Sequence, residues 1–381
     1  MKKILFIITG VGTGGAEMML YKLLSGIDRT KFEPVVLSLL RKDCFGDQVV
    51  NKITALDIPI HSLGMEVGEF DIKKLPKLLD LVRQEQPDIL QGWMYHANVA
   101  AQLASFLTFK FTPTIWNIRH SLHSLDYEKK GTAMLIRLLS KLSSFPVKII
   151  YNSQVGATQH QKIGYKSPKT IVIPNGFDIN IFQSSSANRD HLRQELGLAQ
   201  DAFLIGRICR YHLMKDHETF LRAAALLLQD SPELHFVLAG NNVDYNNSHL
   251  RRLLDELNIG DRIHLLGERK DVPYLTSALD IAVSSSYFGE AFPNVIGEAM
   301  ACEVPCVVTD VGDSALIVGD TGKIVPPKNP LVLANACQEL IALGTAGRKA
   351  LGKQARQKII ELYSLESIIT QYEKLYQSIL N

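Results

Sequence analysis

Two glutamates, Glu290 and Glu298, stand eight positions apart around a Pro293-Asn294 pair. The stretch predicts a loop followed by a short helix, with Pro293 in the first helical turn, where its missing N–H costs nothing. Glu290 then lies in the loop and Glu298 about one turn inside the helix. A helix start offers backbone N–H groups and the positive end of the dipole to an anion. Carboxylates accept hydrogen bonds from sugar hydroxyls, so the combination suits a polyhydroxylated ligand that carries phosphate. The plainer alternative is that Glu290 solvates a loop and Glu298 faces water, as glutamates usually do. Arg210 and Lys215 form a second set. They flank a loop at the expected end of a strand, where arginine as a bidentate fork and lysine as a point charge can neutralise a diphosphate. Surface charges would read the same way.

Near the start, Gly10, Gly12 and Gly15 satisfy G-x-G-x-x-G between a strand and a helix, which opens a dinucleotide reading. The expected end of the second strand, Leu39-Leu40-Arg41-Lys42, puts two cations ahead of Asp43, where an acidic residue would be needed for an adenosine ribose. The firmer inference is close backbone approach to a ligand at a helix start. Glu17, just inside that helix, reads as a structural carboxylate stabilised by the dipole. His96 and His120 each follow a strand, so either can reach a ligand or serve as an ordinary polar residue; His123 and His217 read as surface.

The chain has 381 residues, 46% hydrophobic and 21% charged, as in an ordinary soluble enzyme of two or three domains. A net charge of +2 favours neither nucleic acid nor an acidic partner. Five cysteines at irregular spacing, Cys44, Cys209, Cys302, Cys306 and Cys337, read as reduced thiols and not as metal ligands. The apolar start is too short for a signal peptide and reads as a first strand. No apolar run reaches the length of about 18 residues that would span a membrane.

Thirteen strand-length apolar runs alternate with helical patterns, seven in the first half and six in the second. Among them are Ile4–Thr9, Ile58–Ser62, Ile89–Gly92, Thr114–Ile118, Phe203–Cys209 and Ile281–Ser284. Unbroken Val and Ile mark strands buried on both faces, and the alternation predicts two parallel sheets flanked by helices. The polar run Gln183–Asn188 suits a linker. In such sheets ligands bind beyond the carboxyl ends of strands. The stretch Tyr127–Ser144 predicts a helix with Leu135, Leu138, Leu139 and Leu142 on one face and Lys130, Arg137 and Lys141 on another. That pattern suits an anionic membrane surface or an ordinary half-wet helix.

These pieces, in this order, resemble the retaining glycosyltransferases of family 4, also called glycosyl transferases group 1. The resemblance spans nearly the whole chain and is strongest from Phe203 to Pro326. It rests on Arg210 with Lys215, Leu238-Ala239-Gly240, Leu266-Gly267, Asp271-Val272-Pro273, Glu290 with Glu298, Thr309-Asp310-Val311-Gly312-Asp313, Gly14-Gly15-Ala16-Glu17 and Ile173-Pro174-Asn175-Gly176-Phe177-Asp178. It implies a GT-B fold: α/β, two doubly wound Rossmann-like parallel-sheet domains facing across a cleft. Residues 1–178 would form the acceptor side, with a last helix over about 362–381 packing back on it. Residues 179–361 would bind the nucleotide-sugar.

By the same resemblance, Arg210 and Lys215 would bind and stabilise the departing diphosphate. Glu290 would hold hydroxyls of the transferred sugar and Glu298 the ribose. Asn294 and Val295 would give backbone donors to phosphate, with Gly240 beside them and Gly14 and Gly15 closing over the donor. His120 would sit beside the reacting sugar; His96 and Asn175 are acceptor or cleft candidates. Asp313 departs from the pattern, since many relatives have glycine there. No separate cofactor and no metal is implied; the nucleotide-sugar, with UDP the commonest in the family, is a substrate. The expected partners are that donor, a glycan or lipid-linked acceptor of bacterial surface polysaccharide synthesis and an anionic membrane face, with no nucleic acid, in a cytoplasmic protein. Two alternatives stay open: a nucleotide-sugar epimerase of the same architecture, and an NAD-binding protein.

Overall fold

Runs of Ile, Leu and Val become parallel strands whose side chains are buried on both faces, because helices cover each side. The computed structural model describes residues 1–12, 14–41, 47–66 and 71–381. The chain divides into two compact units: Met1–Gly176 with Leu365–Asn381, and Phe177–Ser364.

The first unit holds β1 (Lys2–Ile8), β2 (Phe32–Leu40), β3 (Ile60–Met65), β4 (Ile89–Trp93), β5 (Thr114–Ile118), β6 (Lys148–Tyr151) and β7 (Thr170–Val172). They form one sheet in the order β3-β2-β1-β4-β5-β6-β7. The second holds β8 (Leu204–Ile208), β9 (His235–Ala239), β10 (Ile263–Leu265), β11 (Ile281–Ser284), β12 (Cys306–Thr309) and β13 (Gly322–Val325), in the order β10-β9-β8-β11-β12-β13. Each is a doubly wound α/β sheet whose strand order reverses once, between β1 and β4 in one unit and between β8 and β11 in the other. All thirteen expected strands form. Their ends shift by up to three residues, most at β3, expected over Ile58–Ser62 but ending at Met65.

The last helix, Leu365–Leu380, belongs to the first unit. Tyr372 stacks on Trp93 at 6.4 Å, and the Tyr376 hydroxyl donates to Gln91 at 2.6 Å. Helix Lys130–Leu142 corrects the sequence reading. It buries Ala133, Ile136 and Leu139, while Leu138, expected on the core side, faces outward with Met134 among the cations. Cys209, Cys302, Cys306 and Cys337 are free thiols. Burial pushes the last three up to about 12. Cys44, Lys42 and Asp43 lie outside the described residues. Among the described residues, no helix is long and apolar enough to cross a membrane.

Candidate functional site

In the second unit the site grows from the ends of β8 and β11, the two strands at the reversal point. Beyond β8 the chain turns into a single 3-10 turn, Leu213–Lys215, opened by the His212 side chain accepting from the Met214 N–H. Beyond β11 run two more serines, Ser285 and Ser286, and a glycine loop. The loops are stitched together: Tyr287 N–H donates to the Met214 carbonyl at 2.7 Å, and the Ser285 hydroxyl to that of Asp216 at 2.9 Å. Lys215 Nζ therefore meets Glu290 Oε1 at 2.5 Å, and the Ser286 hydroxyl donates to the same oxygen at 2.7 Å. Glu290 is buried, 8% exposed, so it does not merely solvate a loop.

Two glycines hold this geometry. Gly312 has a positive φ of 62°, and a Cβ there would lie 2.4 Å from the Glu290 carbonyl oxygen, so only glycine lets the β12 loop support Glu290. The next residue, Asp313, is buried and its N–H donates to the Ala291 carbonyl at 2.9 Å. Gly240, at φ 149°, packs against the Cys209–Arg210 peptide. Arg210 itself is exposed and takes part in no ion pair among the described residues. Lys215 and Glu290 are thus brought into contact, whereas Arg210 shares only their loop cluster.

The helix after Glu290 runs Asn294–Ala301, with Asn294 and Val295 at the positive end of its dipole. Pro293 is its N-cap, extended at ψ 113°, and not a residue of the first turn as the sequence suggested. Glu298 lines a largely apolar pocket of about 350 Å³, mouth included, with Gly206, Ile208, Leu279, Val295 and Cys306.

In the first unit the same logic applies to β1, β4 and β5. Gly14 caps the helix Gly15–Gly26, and a Cβ added at Gly15 would meet nothing within 4 Å. Glu17 lies in the first turn of that helix. Burial pushes its pKa up, opposed by a hydrogen bond from its own N–H. After β4, Met94 takes φ 72°, strain of the kind that collects at functional sites. Half-buried His96 follows in the helix Tyr95–Leu107, its pKa lowered by burial. After β5, His120 lies between two partners. Its Nδ1 is 3.3 Å from the Tyr95 hydroxyl and its Nε2 is 3.4 Å from Glu128 Oε1. Burial lowers its pKa and Glu128 works the other way. Asn175 is buried, with its carboxamide oxygen accepting from Arg119. His217, expected at the surface, is 3% exposed and packs on Tyr211.

Residues 13–181 match the family model described as Glycosyltransferase Family 4, and residues 199–342 match the one described as Glycosyl transferases group 1. The chain is a family 4 glycosyltransferase. Its fold is GT-B, shared with the Anabaena protein HepE crystallised with UDP, at TM-score 0.85 and 25% identity over 99% of this chain and 100% of that one. This glycosyltransferase is also 23% identical over 341 residues to the N-acetyl-alpha-D-glucosaminyl L-malate synthase of Bacillus anthracis, covering 88% of this chain and 84% of the relative. It is 22% identical over 384 residues to the Escherichia coli UDP-Gal:alpha-D-GlcNAc-diphosphoundecaprenol alpha-1,3-galactosyltransferase, covering 95% and 96%.

Sequence reasoning missed Ser286, Tyr95, Glu128 and His160 of the glycosyltransferase. The serine run at the end of β11 was a usable signal for Ser286. His160 gave none, because a histidine in the last turn of a helix, forty residues from His120, has no pattern to betray it.

Proposed function

We propose that this glycosyltransferase moves a sugar from a UDP-sugar to a glycan or lipid-linked acceptor, with retention of configuration, in bacterial surface polysaccharide synthesis. The observation that carries the reading is the Lys215–Glu290 contact at 2.5 Å. A cation suited to diphosphate and a carboxylate suited to sugar hydroxyls meet at one point, and the scissile bond of a nucleotide-sugar joins those two groups. UDP in the HepE crystal supports the choice of donor.

In this scheme Arg210 and Lys215 stabilise the electron pair that leaves with the diphosphate as the anomeric C–O bond breaks. Glu290 holds the sugar hydroxyls and Glu298 the ribose, with Asn294, Val295 and Gly240 lining the phosphates. The acceptor oxygen bonds to the anomeric carbon on the face that the diphosphate leaves, and its proton passes to a leaving phosphate oxygen, which gives retention. The arginine and lysine supply the positive charge, so the scheme assigns no metal and no cofactor. The family resemblance assigns His120 to the reacting sugar and makes His96 and Asn175 the acceptor candidates.

The test is thermal stability with UDP against NADH, followed by NMR of the product's anomeric carbon. UDP should raise the melting point by mass action and NADH should not. Stabilisation by NADH alone, an inverted product, or an epimer formed from donor without acceptor would each overturn the reading. A Gly15→Ala variant separates function from folding. Its Cβ meets open space and alanine favours helix, so stability should hold or rise by up to about 1 kcal/mol. Donor KM should nonetheless rise if the loop closes on the diphosphate, a point that donor titration checks.

The peripheral membrane contact has its own support. Outward-facing Met134 and Leu138, 71% and 47% exposed, alternate with Lys130, Arg137 and Lys141 on a helix that has no acidic residue. Phe145 touches Phe106 at 5.0 Å, next to the turn carrying Phe109 and Phe111. Those two are 79% and 70% exposed. Apolar anchors among cations suit an anionic lipid surface. Arg137→Glu with Lys141→Glu should weaken sedimentation with phosphatidylglycerol vesicles by about thirtyfold or more, at roughly 1 kcal/mol for each cation lost. Equal binding by wild type and variant would remove the lipid contact from the account.

A further inference from the structure

A chain of hydrogen bonds runs behind His120 in the first unit. His160 is fully buried among the rings of Tyr95, Tyr151 and Tyr165. Its Nδ1 lies 2.7 Å from the Gly156 carbonyl oxygen and its Nε2 lies 2.8 Å from the Tyr95 hydroxyl. Among the described residues no carboxylate contacts His160, and burial pushes its pKa down to about 4, so the ring is neutral at ordinary pH.

The direction of each bond follows from one end. A backbone carbonyl only accepts, so His160 carries its proton on Nδ1. Its Nε2 must then accept, and the Tyr95 hydroxyl gives its single hydrogen there. The Tyr95 oxygen can now only accept from His120, whose neutral ring therefore carries its proton on Nδ1. That leaves a lone pair on His120 Nε2, the atom 3.4 Å from Glu128 Oε1. Gly156 holds the backbone as well, since a Cβ there would come within 3.2 Å of the His120 carbonyl oxygen.

We propose that the Gly156 carbonyl, acting through His160 and Tyr95, fixes the tautomer and tilt of His120 so that Nε2 is its working nitrogen, with Glu128 as counter-ion. The inference deepens the placing of His120 beside the reacting sugar and rests on it. Neutral Nε2 accepts from a ligand hydroxyl; protonated, it donates, and the carboxylate then attracts it. The charged and titratable groups facing His120 are Tyr95, Glu128 and, one bond further, His160. Tyr95, Glu128 and His160 are positioning residues, since they act through His120.

The experiment is long-range ¹⁵N–¹H NMR of the histidine rings in the full chain, with His120 assigned by its loss in His120→Gln. Wild type should show His120 protonated at Nδ1 in its neutral form; Tyr95→Phe should shift it toward the Nε2–H form. In parallel, Tyr95→Phe should lower kcat about tenfold to a hundredfold, as misplaced catalytic groups do, with donor KM within about threefold. Adding Tyr95→Phe to His120→Gln should cost nothing further in kcat, the non-additivity expected of coupled residues. His160→Gln, which can still accept from Tyr95, should keep more of the activity than His160→Ala. A neutral His120 protonated at Nε2 in wild type, or additive losses in the double variant, would overturn the relay. The ring spectra decide this even if no sugar is transferred, so failure of the relay and failure of the proposed function remain distinguishable.

Discussion

Lys215→Ala should lower kcat for sugar transfer by about a hundredfold to a thousandfold, the usual cost of removing one preorganised group from a developing negative charge. The lysine is held where this matters. A 3-10 turn, the Tyr287–Met214 backbone bond and the Glu290 carboxylate fix its ammonium, so little reorganisation is needed when charge develops on the diphosphate. The same change leaves Glu290, 8% exposed, without its cation. Stability should therefore fall by about 1–3 kcal/mol, the cost of a poorly satisfied buried acceptor, with the fold retained. Glu290→Gln makes the complementary test. It keeps the volume and can still accept from Ser286, but it drops the charge facing Lys215 and the sugar. It should lose transfer to a similar degree while keeping near-normal affinity for UDP alone, since UDP has no sugar for Glu290 to hold. Steady-state kinetics, UDP calorimetry and a denaturant melt separate the two effects. Unchanged turnover in either variant would remove these residues from the chemistry.

Gly240→Ala should be the most damaging small substitution near the site. Gly240 sits at φ 149°, and an added Cβ would lie 2.1 Å from the Cys209 carbonyl oxygen and 2.8 Å from the Arg210 nitrogen. Those are backbone atoms at the end of β8 and cannot swing aside as a side-chain tip would. Either β8 and β9 part at their ends or the Arg210 peptide moves. The first costs about 1–3 kcal/mol of stability by overpacking. The second displaces the proposed diphosphate arginine, and a shift near 1 Å costs about a hundredfold in rate. Melting and kcat should therefore both drop. Gly15→Ala, whose Cβ meets open space, should leave melting intact. If Gly240→Ala proves as stable and active as wild type, the packing of that strand end is not what positions Arg210.

Much of the architecture was readable because its cause is local. A strand buried on both faces is mostly apolar, and the runs that became β5, β10 and β11 were bounded to the residue despite Asn117, His264 and Ser284 within them. The Lys215–Glu290 contact was readable because both residues lie in loops that follow strand ends. What the sequence hid depends on packing between distant segments. Leu138 looked like part of a leucine face, yet the helix turns it outward because Ala133, Ile136 and Leu139 meet the neighbouring elements. His217 looked like a surface residue beside Lys215 and Asp216. It is buried because it opens the helix His217–Asp230 directly beneath the loop, against Tyr211. Pro293 caps its helix from outside, a one-residue difference that pattern cannot resolve. The Tyr95–His160 pair joins residues 65 apart, and nothing in either segment announces the other.

The most direct measurement is a crystal structure of the protein with an intact UDP-sugar analogue. The β-phosphate should lie against Lys215 Nζ, a hydroxyl of the sugar on the Glu290 carboxylate and the ribose on Glu298. A diphosphate bound elsewhere, with Lys215 and Glu290 still paired only to each other, would contradict it.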